Sequence, residues 1–167
     1  GGGGTRELRH EQVHGATVLR LGLADIDRDG ALSPCPGLQR IHTIVEGQGL
    51  ILSDSEATLH ARPDRPLVFS GDLALSAHLK DGPSRAFNAI FDPARVQVSA
   101  AMIPAGEVKI VSGRLVLFVL EGEVEMTGAE GLRPGQGAVL EAPISAQVTS
   151  EARVLCLVVR PADQTAV

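Results

Sequence analysis

Apolar residues in this chain recur at the spacing of strands, and no long segment repeats them at i, i+3, i+4 and i+7 as an amphipathic helix would. Segments such as "ATVLRLGLA", "QRIHTIVEG", "LALSAHLK", "FNAIF", "VQVSAAMI", "RLVLFVLEG" and "RVLCLVVR" are short and rich in aliphatic residues. Turn residues separate them: Asp29-Gly30, Pro36-Gly37, Glu46-Gly47, Asp81-Gly82-Pro83, Ser112-Gly113, Glu121-Gly122 and Pro134-Gly135. Many short strands between regular turns imply an all-β sandwich or barrel. With 167 residues, 44% of them apolar, the chain has enough material for a packed core.

The strand pattern is stated twice. "HTIVEGQGLIL" at residues 42–52 is echoed by "LFVLEGEVEM" at residues 117–126, so that Gly47 and Gly122 stand 75 positions apart. An internal repeat of this size implies two similar β units, with the division near Asp92-Pro93-Ala94. The expected domains are therefore 1–93 and 94–167. The repeated phrase itself has the form of a hairpin, with glycine at a turn position that needs positive φ.

Charge and composition exclude several partners. Net charge is −5, from 15 basic and 20 acidic residues, and the aromatics are four Phe with no Trp or Tyr. Nucleic acid asks for a basic face and stacking rings, so none is expected. No apolar run approaches the ~20 residues of a membrane helix, so no membrane partner is expected either. Cys35 and Cys156 show no CxxC or zinc spacing. Cys156, within "VLCLVV", is most simply a small buried hydrophobe. This usage fits a reducing compartment and, with no signal-peptide pattern visible, a cytoplasmic location.

The second half, "VLFVLEGEVEM" followed by "LRPGQGAVLEAP", resembles a cupin. The first half is more specific. "RLGLADIDRDGALSPCPGLQR", then "VEGQGLIL", "FSGD" and "LKDGPSRAFNAI", with "GGGTREL" ahead of them, resemble the HutD/Ves family of bacterial bicupins. Two departures stand beside the strand arginine, where the family has Trp and Ser and this chain has Leu19 and Gly22. The resemblance implies a double cupin. Cupins hold a metal through two His, a Glu and a further His. Counting from Gly47 and Gly122 places Pro34, Pro36 and Arg40 in the first half, and Lys109, Val111 and Leu115 in the second, at the first-motif positions. Val148 stands where the second half's last His belongs. A mononuclear site needs three or four converging N or O ligands, so neither metal nor another cofactor is expected. Elemental analysis of untagged protein should find no stoichiometric Fe, Mn, Ni or Zn after dialysis, and a full equivalent retained would overturn this.

Other chemistries have weak signals. "DIDRDG" matches the opening of a calcium loop, but Pro36 stands where the bidentate Glu belongs and strand-like sequence flanks it. A turn whose Asp side chains accept backbone N–H bonds explains it as well. The histidines do not cluster, and Ser33 and Ser70 lie in turns without a nucleophile elbow, so no catalytic residue is assigned. The arginines say more. Strand alternation puts Arg20, Gly22 and Ala24 on one face, Arg40, His42 and Ile44 on another, and Asn88 with Ile90 on a third. A buried Arg needs a partner. Asp25 or Asp72 would serve, and so would an anionic ligand held in bidentate geometry. Arg20, Arg40, His42 and Asn88 are the candidate ligand-binding residues.

The second half has no such polar intruders, which leaves it as support or as a homodimer surface. The family resemblance implies a small carboxylate from histidine catabolism, with formylglutamate the natural candidate, bound for sensing or modulation rather than turnover. Two alternatives stay open: a metal-independent isomerase or hydrolase of a small polar metabolite, and a Ves-like stress-related protein acting through protein contacts.

Overall fold

A computed structural model describes residues 3–163. Every regular element among them is a strand, and among these residues no helix is long and apolar enough to cross a membrane. The chain divides into two compact units, one ending at Arg95 and the other beginning at Val96.

The first unit contains β1 (Thr5–Val13), β2 (Ala16–Ile26), β3 (Gly30–Ala31), β4 (Gln39–Glu46), β5 (Leu50–Ser53), β6 (Thr58–Ala61), β7 (Leu67–Ser70), β8 (Ser76–Leu79) and β9 (Ser84–Phe91). They form a five-stranded sheet, β1-β2-β9-β4-β7, and a four-stranded sheet, β3-β8-β5-β6. The named pairings are antiparallel. Ile44, Phe69 and Ala86 from the first sheet and Leu50, Leu52, Ala61 and Ala77 from the second share one buried cluster. The two sheets therefore face each other as a jelly-roll sandwich.

The second unit contains β10 (Val96–Ile103), β11 (Gly106–Ile110), β12 (Arg114–Glu121), β13 (Val124–Met126), β14 (Gly137–Glu141), β15 (Ile144–Val148) and β16 (Arg153–Pro161). Its sheets run β10-β16-β12-β14 and β11-β15-β13. Leu115, Leu117, Val119, Val124, Val148 and Val154 build its core, and Leu115 through Val119 are buried without a break. A continuous aliphatic strand of this kind is covered on both faces. Cys156 belongs to the same core, and burial pushes its thiol pKa up to about 11.

The repeat has a structural counterpart, though not as a hairpin. β4 pairs with β7 and β9, whereas β5 belongs to the opposite sheet. β12 and β13 are divided between sheets in the same way. Each Glu-Gly is thus the corner where the chain leaves one sheet for the other. Gly47 has φ of 91° and Gly122 has φ of 77°. Each corner presses on the chain where it enters the neighbouring strand, at Pro83 and Ser84 for β9 and at Ala152 for β16. The bulges match as well: the β4–β9 register shifts between Ile44 and Glu46, and the β12–β16 register between Val119 and Glu121. Alternation on both sides of a Gly turn reads as a hairpin, because sequence does not report which sheet the second strand joins.

Candidate functional site

Three adjacent strands of the first unit build the site. Arg20 on β2 lies opposite Ile90 on β9, which lies opposite Arg40 on β4. The next row is Gly22, Asn88 and His42, and the row after it is Ala24, Ala86 and Ile44. Ile44 and Ala86 face the sandwich core, so with the period of two the whole set points inward. One end of the interior is aliphatic, and the other carries two guanidinium groups and an amide.

A cavity of about 390 Å³ opens there, within the range of small-molecule sites. Its lining includes Arg20, Arg40 and Asn88, together with Gly22 and Ile90 from the same rows. His42 is not on the lining. It is fully buried behind Asn88, with Nδ1 2.9 Å from Asn88 Oδ1. Sequence reasoning missed Thr5 and Glu7, which extend the same sheet's wall onto β1, and the far wall formed by Arg28 and residues 30–33. Backbone bonds from Leu32 N to Leu75 O and from Cys35 N to Gly71 O dock that segment. Arg28 lies within "DIDRDG", a motif whose calcium-loop match involves only its acidic residues and glycine.

Arg40 is the unusual group. It is 5% exposed, and no carboxylate pairs with it. One amino group, Nη2, donates to the Ser33 carbonyl at 2.7 Å and to Cys35 Sγ at 3.1 Å. Its carbon CZ lies 5.8 Å from the centre of the Phe69 ring. Nε is sealed from solvent without an acceptor, and Nη1 makes no hydrogen bond. The acids that sequence offered as partners are engaged elsewhere. Asp25 takes the Arg85 guanidinium at 2.7 Å, and Asp72 accepts the Gly37 N–H at 2.8 Å. Asp29 of the calcium-like motif accepts the Leu79 N–H at 2.8 Å, and this bond holds its carboxyl below the ordinary range. Glu7 on the wall lies 3.0 Å from His10. No ion pair among the described residues engages Arg20, Arg28 or Arg40. The cavity lining therefore carries three cations that no carboxylate pairs with, its own two acids, Glu7 and Asp25, being engaged by His10 and Arg85.

The cupin metal positions do not fit an ion. Arg40 is a permanent cation, Val111 is 78% exposed, and Val148 is buried in the second unit's core. Among the described residues no group of three or more His, Cys, Asp or Glu is placed to share a metal.

Desolvation is the main reason the His42 pKa falls from 6.5 to about 4; the Asn88 contact opposes the shift and the Arg40 charge adds to it. His42 is therefore neutral in the folded protein at neutral pH. The unfolded chain binds the proton first as pH falls. Stability is then undiminished above pH 6.5 and declines as pH drops towards about 4. The full effect of this one group is about 3 kcal/mol at most. Denaturant titrations across that interval should show a steeper decline for the wild type than for His42→Asn, and parallel curves would count against a buried neutral imidazole.

A HutD family model matches residues 1–158. The chain belongs to the HutD family. It is 32% identical over 141 residues to an uncharacterized 21.2 kDa protein in the hutC 3′ region of Pseudomonas putida, covering 81% of this chain and 74% of that one. The structure of HutD from Pseudomonas fluorescens superposes with a TM-score of 0.83 at 27% identity, over 96% of this chain and 90% of that chain. A conserved protein of unknown function from Pseudomonas aeruginosa gives a TM-score of 0.83 at 26% identity, over 95% and 90% of the two chains. A cupin 2 conserved barrel protein from Leptotrichia buccalis shares the fold at a TM-score of 0.58 and 15% identity, over 93% and 88%. This HutD-family chain is thus an all-β double cupin, as its strand pattern and motifs imply.

Proposed function

We propose that this HutD-family protein binds a small carboxylate in the cavity of its first unit, and that binding serves to sense or modulate histidine utilisation rather than to turn the ligand over. The observation that carries this reading is Arg40, a guanidinium 5% exposed on a cavity wall with no acid to meet it. A buried unpaired cation is costly, and a carboxylate supplies the missing acceptor in bidentate geometry. Arg20 lies one strand beyond Ile90 on the same row, and the Asn88 amide lies on the next row. Arg28 adds a cation to the far wall, which suits a ligand with two acidic groups. The wall's two carboxylates are already engaged, so the site suits holding an anion better than moving a proton.

The hutC neighbourhood of the Pseudomonas putida relative directs the choice of ligand towards histidine catabolism, with formylglutamate the leading candidate. Calorimetry and thermal melts with formylglutamate, glutamate, urocanate and histidine test this. Formylglutamate should raise the melting temperature with occupancy and bind between micromolar and millimolar, roughly 4–8 kcal/mol. Absence of stabilisation by any acid at about 10 mM, roughly 2.7 kcal/mol of binding free energy, would defeat the assignment. Conversion of a bound acid to product, followed by NMR, would favour an enzyme.

A further inference from the structure

His42 has a feature that the carboxylate site does not by itself explain. It is fully buried, and Nε2 is sealed off without a partner. Its one polar contact is Nδ1 to Asn88 Oδ1 at 2.9 Å. Two arrangements satisfy that contact. With the proton on Nδ1, the imidazole donates to the Asn88 carbonyl, and Nε2 is left as a bare lone pair. With the proton on Nε2, Asn88 would have to turn its NH₂ towards Nδ1, and a buried N–H would be left without an acceptor. Orphaned buried donors are rarer than under-used acceptors, and a neutral imidazole has one of each. The first arrangement is favoured, and it agrees with the amide orientation in the structure.

The neighbours leave His42 as the group that sets this orientation. Across the row, β2 offers Gly22, which has no side chain to compete for the amide. With Asn88 Oδ1 committed to His42, Nδ2 is the polar side-chain atom left for the cavity that Asn88 lines. Arg20 and Arg40 on the adjoining row are donors only. The side chains of Arg20, Arg40 and Asn88 then offer the cavity hydrogen-bond donors only, and the two carboxylates on its lining, Glu7 and Asp25, are engaged by His10 and Arg85.

Resting on the carboxylate-binding reading above, we propose that His42 is a positioning residue that fixes the Asn88 amide with its NH₂ towards the ligand, so that the site prefers N-acylated or amine-free dicarboxylates to the amino acid with a free ammonium. A carboxylate or acyl oxygen finds a donor on each of these three side chains. An ammonium beside Asn88 finds no acceptor on these three side chains and meets two guanidinium charges. If His42 is replaced by an apolar residue, the amide is released and can rotate its oxygen into the cavity, which relaxes the exclusion.

The test compares calorimetric affinities for formylglutamate, glutarate and glutamate in the wild type, His42→Leu and His42→Asn. Asn places an N–H close to the position of Nδ1 and serves as the conservative rescue. The formylglutamate-to-glutamate affinity ratio should fall by about five- to tenfold in His42→Leu, the size of one neutral hydrogen bond, and recover in His42→Asn. The ¹⁵N spectrum of the wild-type imidazole should show the proton on Nδ1. An unchanged ratio in a His42→Leu protein that merely melts earlier would make His42 structural and overturn the proposal, and so would a proton on Nε2. Should His42→Leu fail to fold, the spectrum and the His42→Asn ratio still decide. Failure of all three acids to bind the wild type would remove the carboxylate reading and the selectivity with it, while the spectrum would still report the direction of the His42–Asn88 bond.

Discussion

Arg40→Met is expected to separate binding from stability in opposite directions. Met fills much of the same space without the charge, and the apo protein should melt no lower than wild type. Replacing a buried charge by a packed apolar side chain is often neutral or stabilising. Here the charge has only a carbonyl, a thiol and the Phe69 ring for company. Affinity for formylglutamate should fall by at least about tenfold, because a hydrogen bond to a charged group contributes roughly 1.5–3 kcal/mol and tenfold is 1.4 kcal/mol. Ligand-induced stabilisation should shrink accordingly. Asn88→Ala should cost less, since a neutral hydrogen bond contributes about 1 kcal/mol. A large drop in the apo melting temperature with ligand affinity intact would make Arg40 a clamp on the Ser33–Cys35 loop instead of a ligand group.

The part of this candidate site that the sequence makes legible is the part that strand periodicity controls. Alternation alone placed Arg20 with Gly22, Arg40 with His42 and Asn88 with Ile90, and the observed register carries each pair on the inner face. Periodicity is a local property, and what was missed is not local. The far wall depends on contacts such as Leu32 to Leu75 and Cys35 to Gly71, between residues about 40 positions apart in sequence. The fate of Asp25 depends on a salt bridge to Arg85 across two strands. The withdrawal of His42 behind Asn88 is a matter of depth within one face, which alternation does not distinguish. The Glu-Gly phrase reads as a hairpin for the same reason: sequence shows the turn, and not the sheet that receives the next strand.

Gly47→Ala and Gly122→Ala should each lower the melting temperature by roughly 10 °C, and Gly15→Ala by much less. All three glycines have positive φ, at 91°, 77° and 79°. Each substitution therefore forces an L-residue into the left-handed region, at a cost of about 1–2 kcal/mol. They differ in surroundings. A Cβ at Gly47 would lie 2.4 Å from the Pro83 carbonyl oxygen and 2.8 Å from Ser84 Cα, and one at Gly122 would lie 2.7 Å from Ala152 Cα, while one at Gly15 would meet nothing within 4 Å. The obstructing atoms at the two corners are mainly backbone at the entry to β9 and β16, so relief means moving a central strand. Overpacking of this kind adds typically 1–3 kcal/mol. For a chain of this length each kcal/mol shifts the midpoint by about 2–4 °C, which gives the difference expected between the corners and Gly15. Because the two corners press on equivalent strands in their own units, their penalties should agree to within about 1 kcal/mol, a smaller gap than overpacking itself opens. Equal melting temperatures for all three variants would mean that the glycines serve only the turn. A corner penalty well above that of Gly15→Ala would mean that the phrase is repeated because each unit must fold its chain sharply against the strand that centres its sheet.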